Sequence, residues 1–97
     1  MARRPPSRRN RVASLHTAGY RRFIGLLVER REASGISQQE LADRLALPQS
    51  IIAKIEKCHR RVDLIELIQI ASVIGFDPAR LVREVRADMI EHGTIEA

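Results

Sequence analysis

Apolar residues return every three or four positions along most of this chain, and no stretch alternates apolar with polar. The pattern predicts helices and no strands. Phe23, Leu26 and Leu27, followed by Arg30 or Arg31, mark one face of a first helix that Thr17 can cap. Gly35 ends it, where a left-handed residue is wanted. Ser37 opens the next helix, and Glu40 three residues on completes a capping box. Leu41, Ala42 and Leu45 make the inward face of this second helix, while Gln39, Asp43 and Arg44 point out. Ala46-Leu47-Pro48 is long enough only for a turn, because the residue before a proline is kept out of the helical region. A third helix runs from about Gln49 to Lys57. Ile51, Ile52 and Ile55 share one side of it, and Gln49, Ser50, Ala53, Lys54 and Lys57 the other. Asp63 and Glu66 form a second capping box, opening a helix that ends near Ile74 before Gly75. Asp77-Pro78 starts the fifth, whose stripe is Leu81, Val82, Val85 and Met89.

The organisation that follows is all-α: a basic N-terminal arm over 1–16, a five-helix domain over 17–90 with a central helix-turn-helix over 37–57, and a C-terminal tail over 91–97. In the arm, Arg3, Arg4, Arg8, Arg9 and Arg11 stand among Pro5, Pro6, Ser7 and Asn10 with no acidic residue. Such a segment has little to bury against its ordering entropy and is expected to be flexible. One reading is a solvated tail that keeps the protein soluble. The other is an arm whose arginines follow DNA phosphates or a minor groove.

Composition narrows the partners. The 97 residues carry a formal net charge of +5, which favours a polyanion. With only Tyr20, Phe23 and Phe76 as aromatics, the chain can hardly build the stacking platforms that single strands and most RNA-reading sheets use. Duplex DNA is therefore the expected nucleic acid. The outward face of the third helix suits it, offering amide, hydroxyl, methyl and ammonium groups without a carboxylate. One cysteine, Cys58, excludes an internal disulfide framework. No apolar run reaches membrane-spanning length, and the basic N-terminus lacks an apolar signal core, so the expectation is a cytoplasmic protein with no membrane association. Cys58-His59 does not suggest a metal site, since adjacent ligands rarely close a tetrahedron and no further cysteine or paired histidine supports them. Neither a phosphate-cradling glycine loop nor a Ser-His-Asp order is visible, and no cofactor or catalytic residue is expected.

Over residues 20 to 85 the order of residues resembles the lambda-repressor and Cro type of helix-turn-helix, the XRE family of bacterial and phage regulators. The likeness is carried by Gln38, Leu41, Ala42, Leu45, Gln49, Ser50, Ile52, Ile55 and Glu56. It implies a lambda-repressor-like domain that binds double-stranded DNA as a transcriptional regulator. By the resemblance, Gln49, Ser50 and Lys54 read bases, and Gln38, Arg60 and Arg61 meet phosphates; from their place on the outward face and in the basic connection, Ala53 is expected beside the bases and Lys57 and His59 beside phosphates. Arg31 and Glu56 match an ion pair that orients the recognition helix. Two positions depart from the family pattern: Ala46 and Cys58 stand where glycine is frequent.

The fourth helix carries apolar residues around almost its whole circumference, more than one packed face needs. Ile65, Ile70, Val73, Val85, Met89 and Ile90 are accordingly candidates for a homodimer surface, and a dimer would bind an inverted repeat. Burial of this helix at the centre of a small domain is the competing explanation. A repressor is the expected role, with double-stranded DNA and a second copy of the chain as partners, and RNA polymerase as the process excluded or recruited. The alternatives are an antitoxin-type protein of the same fold that neutralises a small protein partner, and a non-specific nucleic-acid-binding module.

Overall fold

The computed structural model describes residues 17–97. Among the described residues there are five helices and no strand: α1 (Ala18–Ala33), α2 (Gln38–Leu45), α3 (Gln49–Glu56), α4 (Leu64–Ile74) and α5 (Pro78–Glu91). The arginines of the expected arm, Arg3, Arg4, Arg8, Arg9 and Arg11, lie outside the described residues.

The helix ends follow local chemistry. The Thr17 side chain accepts the N–H of Tyr20, and Asp77 accepts that of Ala79 with Pro78 in the first turn. Ser37 with Glu40 and Asp63 with Glu66 both close as full capping boxes. Each arrangement satisfies donors that a helix leaves open at its start. Gly75, at φ 96°, closes α4 in the left-handed region.

With eight residues each, α2 and α3 are too short to persist alone, and their stability comes from packing. They pack against each other, α2 also against α4, and α3 also against α1. Ile24, Leu27, Leu41, Ile52, Ile55, Leu67, Ile70, Ile74 and Leu81 form the centre of the core. Ala42 is fully enclosed there, so a larger side chain at that position would have to displace a helix. On the far side α5 lies along α1. Arg30 reaches Glu84 at 2.6 Å, its guanidinium sits 5.5 Å from the centre of the Phe76 ring, and Ser34 Oγ donates to the Ile74 carbonyl at 3.3 Å.

The turn between α2 and α3 has a left-handed backbone, at the position where the resemblance implies glycine. Ala46 sits at φ 57°, ψ 43°, and Cys58, after α3, at φ 61°. Alanine in that region costs on the order of 1 kcal/mol. Ala46→Gly is therefore expected to raise stability by about 0.5 kcal/mol after the extra chain entropy of glycine, a rise of a few degrees in melting temperature. Cys58→Gly is expected to change little. The same relief there is offset by loss of a buried thiol. Paired thermal melts check both, and a destabilised Ala46→Gly would mean that the strain is absent.

Candidate nucleic-acid interface

A chain of hydrogen bonds runs from the core to the outer edge of α3. Arg31, a buried cation on α1, donates to both carboxylate oxygens of Glu56 at 2.6 and 2.9 Å, and to the Ile36 carbonyl at 2.8 Å. The Glu56 hydrogen bond is the main reason the Arg31 guanidinium is held above its usual range. Glu56 also accepts the Gln38 side-chain amide at 2.8 Å, and the Gln38 carbonyl oxygen accepts Nε2 of Gln49 at 2.7 Å.

The direction of this chain is fixed by chemistry. A carboxylate only accepts, so Gln38 must turn its NH₂ inward and its oxygen outward, and Gln49 must then spend one amide hydrogen on that oxygen. What Gln49 keeps is one N–H and its carbonyl oxygen. Those two groups are the pair that bonds N7 and the N6 amino group of adenine.

The outward face of α3 continues from there. Ser50, Lys54 and Lys57 are exposed, and Gln49 and Ala53 half-exposed. The apolar Ile52 and Ile55 are turned into the core, and Ile51 packs on its edge. Gln38, expected on a phosphate, has its side chain engaged by Glu56 and Gln49, which leaves one amide hydrogen and its backbone N–H for that role.

In the loop after α3, Arg60, expected on a phosphate, has its guanidinium engaged within the fold: it donates to Glu66 at 2.8 and 3.2 Å and to the Arg61 carbonyl at 3.1 Å. The same pairing holds the Glu66 carboxyl below its usual range. His59 and Arg61 are exposed. Two features of this loop escaped the sequence reading. The Tyr20 hydroxyl on α1 accepts the Val62 N–H at 2.9 Å, and the Arg61 guanidinium lies 5.4 Å from the centre of the Tyr20 ring.

The dimer candidates separate. Ile70 is a core residue at 3% exposure, which removes it from any surface. It shares its side of α4 with Leu67, Ala71 and Ile74, so the apolar surplus on this helix lies elsewhere. Val73 and Val85 are partly buried against the core, Met89 lies beside Gly19 of α1, and Ile90 is half-buried. Ile65 is exposed, together with Leu64 and Ile68 of the same all-round apolar helix. Val82, expected in the packed stripe of α5, also faces solvent. One grouping of metal-ligand type occurs among the described residues, Asp88, Glu91 and His92 at the exposed end of α5. Its Asp88 already faces Arg22 and the His92 ring.

Two short helices crossing at an enclosed alanine, the second showing a polar face beside a basic loop, define a helix-turn-helix domain. The family model for helix-turn-helix matches residues 27–81, and the chain belongs to the XRE-type helix-turn-helix family of DNA-binding transcriptional regulators. Among solved structures, the chain is similar to an XRE-family like protein from Pseudomonas syringae pv. tomato str. DC3000. The two share 42% sequence identity and a TM-score of 0.72, over 80% of this chain and 95% of that one. No curated protein sequence matches the chain. Among the described residues no helix is long and apolar enough to cross a membrane.

Proposed function

We propose that this regulator is a repressor that binds an inverted-repeat operator as a homodimer, with α3 in the major groove of each half-site. The observation that carries this reading is the outward face of α3. It has no carboxylate, and its leading residue Gln49 is held with one donor and one acceptor outward. In this reading Gln49, Ser50, Ala53 and Lys54 meet base edges, and the α2 start at Gln38, Lys57, His59 and Arg61 meet the backbone. The exposed Leu64, Ile65 and Ile68 follow directly on the basic loop and supply the apolar surface for a second copy. A dimer seated across a promoter excludes RNA polymerase by its bulk. Selection of bound sequences from a random duplex pool tests the reading. The expected product is an inverted repeat with half-sites about 34–36 Å, one helical turn, apart, and a pool without an enriched motif overturns it.

The charge distribution gives the arm a separate role. All of the +5 is carried there, since five arginines and no acid precede residue 17, which leaves residues 17–97 neutral overall. Long-range attraction to DNA and counterion release then depend largely on the arm, while α3 supplies discrimination. Deleting residues 2–14 is expected to flatten the plot of log affinity against log salt by about 2, as two phosphate contacts are lost, and to weaken binding roughly tenfold near physiological salt. The selected sequence should stay the same. An unchanged slope in a fluorescence-anisotropy titration would remove the arm from the interface.

A further inference from the structure

The outer side of α4 carries no charge. Its exposed residues are Leu64, Ile65, Ile68, Gln69 and Ser72. The one carboxylate of the helix, Glu66, lies to the side and is paired with Arg60 at 2.8 Å. On a helix that turns about 100° per residue, Leu64, Ile65, Ile68 and Ser72 fall within one stripe about 100° wide, and Gln69 borders it. The three large apolar side chains are 66%, 61% and 47% exposed. A face that meets its own copy across a two-fold axis sets any charge near its centre against the same charge of the partner. This face has none, which suits it to a second copy of the chain.

The face is small. The 11 residues of α4 span only about 16 Å along the helix axis. At their exposures the three apolar side chains can withdraw roughly 300 Å² per copy from water, whereas a standard stable interface takes about 800 Å² from each partner. Gln69 and Ser72 widen the contact without making it more apolar. Each copy also carries +5, so free copies approach against like charge, which a duplex neutralises. On DNA the balance changes. Two half-sites on one duplex hold their occupants at an effective concentration on the order of millimolar, where a weak contact still forms.

We propose that the face formed by Leu64, Ile65 and Ile68 pairs two copies on the operator and not in free solution, so that the chain is a monomer which the inverted repeat assembles into a dimer. The inference rests on the homodimer reading above and adds the order of assembly to it. Assembly on the site makes the operator sensitive to protein concentration. When two monomers bind as a unit, about a tenfold rise in free protein carries the site from one-tenth to nine-tenths filled, where independent binding needs about eightyfold.

The test compares the free chain with the chain on three duplexes: the selected inverted repeat, a single half-site, and the repeat with about half a helical turn inserted between its halves, which sets them on opposite faces of the DNA. Sedimentation velocity is expected to show a free monomer at about 50 µM and two copies on the inverted repeat, the second bound about tenfold more tightly than a copy on the half-site. The insertion should abolish that tenfold gain. Ile65→Gln combined with Ile68→Gln, which changes neither charge nor core, should abolish it too and leave half-site affinity as it was. A free dimer at about 50 µM overturns the order of assembly. A folded double variant as cooperative as wild type overturns the face. A wild-type gain that survives the insertion shows that the two copies do not touch, and overturns the proposal even where the double variant does not fold. One copy on every duplex removes the homodimer reading, and no duplex binding at all removes the DNA reading; either result takes this inference with it.

Discussion

Arg31→Met is expected to lower the stability of the domain by about 3 kcal/mol, a fall of roughly 10–20 °C in melting temperature for a domain of this size. The reason is the partner left behind. Glu56 and Arg31 have side chains only 11% exposed, so removing the guanidinium leaves a carboxylate with little water and one amide from Gln38. The Ile36 carbonyl, which accepts from Arg31, loses its bond as well. Removing both charges should be milder. Arg31→Met with Glu56→Leu is expected to recover more than half of the loss, because a buried pair contributes little net stability even though each half alone is costly. Chemical-denaturation midpoints of the four proteins give the coupling directly. A double variant as unstable as Arg31→Met would show that packing around the arginine stem, and not the orphaned charge, sets the cost.

The same pair explains why a protein would keep two charges beside its core. A small void of about 10 Å³, room for at most one water, lies beneath them between Leu27, Leu41, Ile52, Ile70 and Ile74. Apolar side chains would fill that region with less desolvation. What they would not do is dictate which way the Gln38 amide faces. Glu56 does so, because it accepts and never donates, and the orientation passes to Gln49. In this site the ion pair is better understood as setting a direction than as holding the fold together.

Much of this was readable along the chain because the signals are local. Thr17, Ser37 with Glu40, Asp63 with Glu66, and Asp77-Pro78 act within three residues of where they stand, so the helix starts fall where spacing predicts them. Ala46 and Cys58 were visible as departures, and both take the left-handed backbone in spite of their side chains. What spacing does not encode is which side of an all-round apolar helix turns inward. Seven of the residues from Leu64 to Ile74 are leucine, isoleucine or valine, so periodicity alone leaves Ile70 free to be core or surface. Pairings made by a loop are hidden for a different reason. Arg60 meets Glu66, and Tyr20 meets Val62, only after the chain has turned, and no period relates their positions. The concentration of net charge before residue 17 is countable from the sequence, and in the proposed reading it moves the electrostatic attraction to DNA away from α3.

Gln49→Ala combined with Lys54→Ala is expected to erase preference among operator variants while the helical circular-dichroism signal stays intact. Each base contact of this kind is worth about 1–3 kcal/mol of discrimination, so losing two removes roughly two or more orders of magnitude between the selected site and a scrambled one. Both residues lie on the outer face of α3 and neither is core, which is why folding should survive. Gln38→Ala separates contact from orientation. It leaves Gln49 in place but takes away the oxygen that holds its amide, so Gln49 must be ordered at the moment of binding. Immobilising such a side chain costs about 0.5–1.5 kcal/mol, and the loss should therefore be a few-fold to about tenfold, much smaller than for Gln49→Ala. It should also fall chiefly on the base pair that Gln49 reads, beyond a uniform weakening from any phosphate contact that Gln38 itself makes. Competition binding against a set of single-base operator variants distinguishes these outcomes. Undiminished preference in the Gln49 and Lys54 double variant would remove α3 as the reading head. A Gln38→Ala loss spread evenly over all positions would mean that Gln38 contributes a phosphate contact and no orientation.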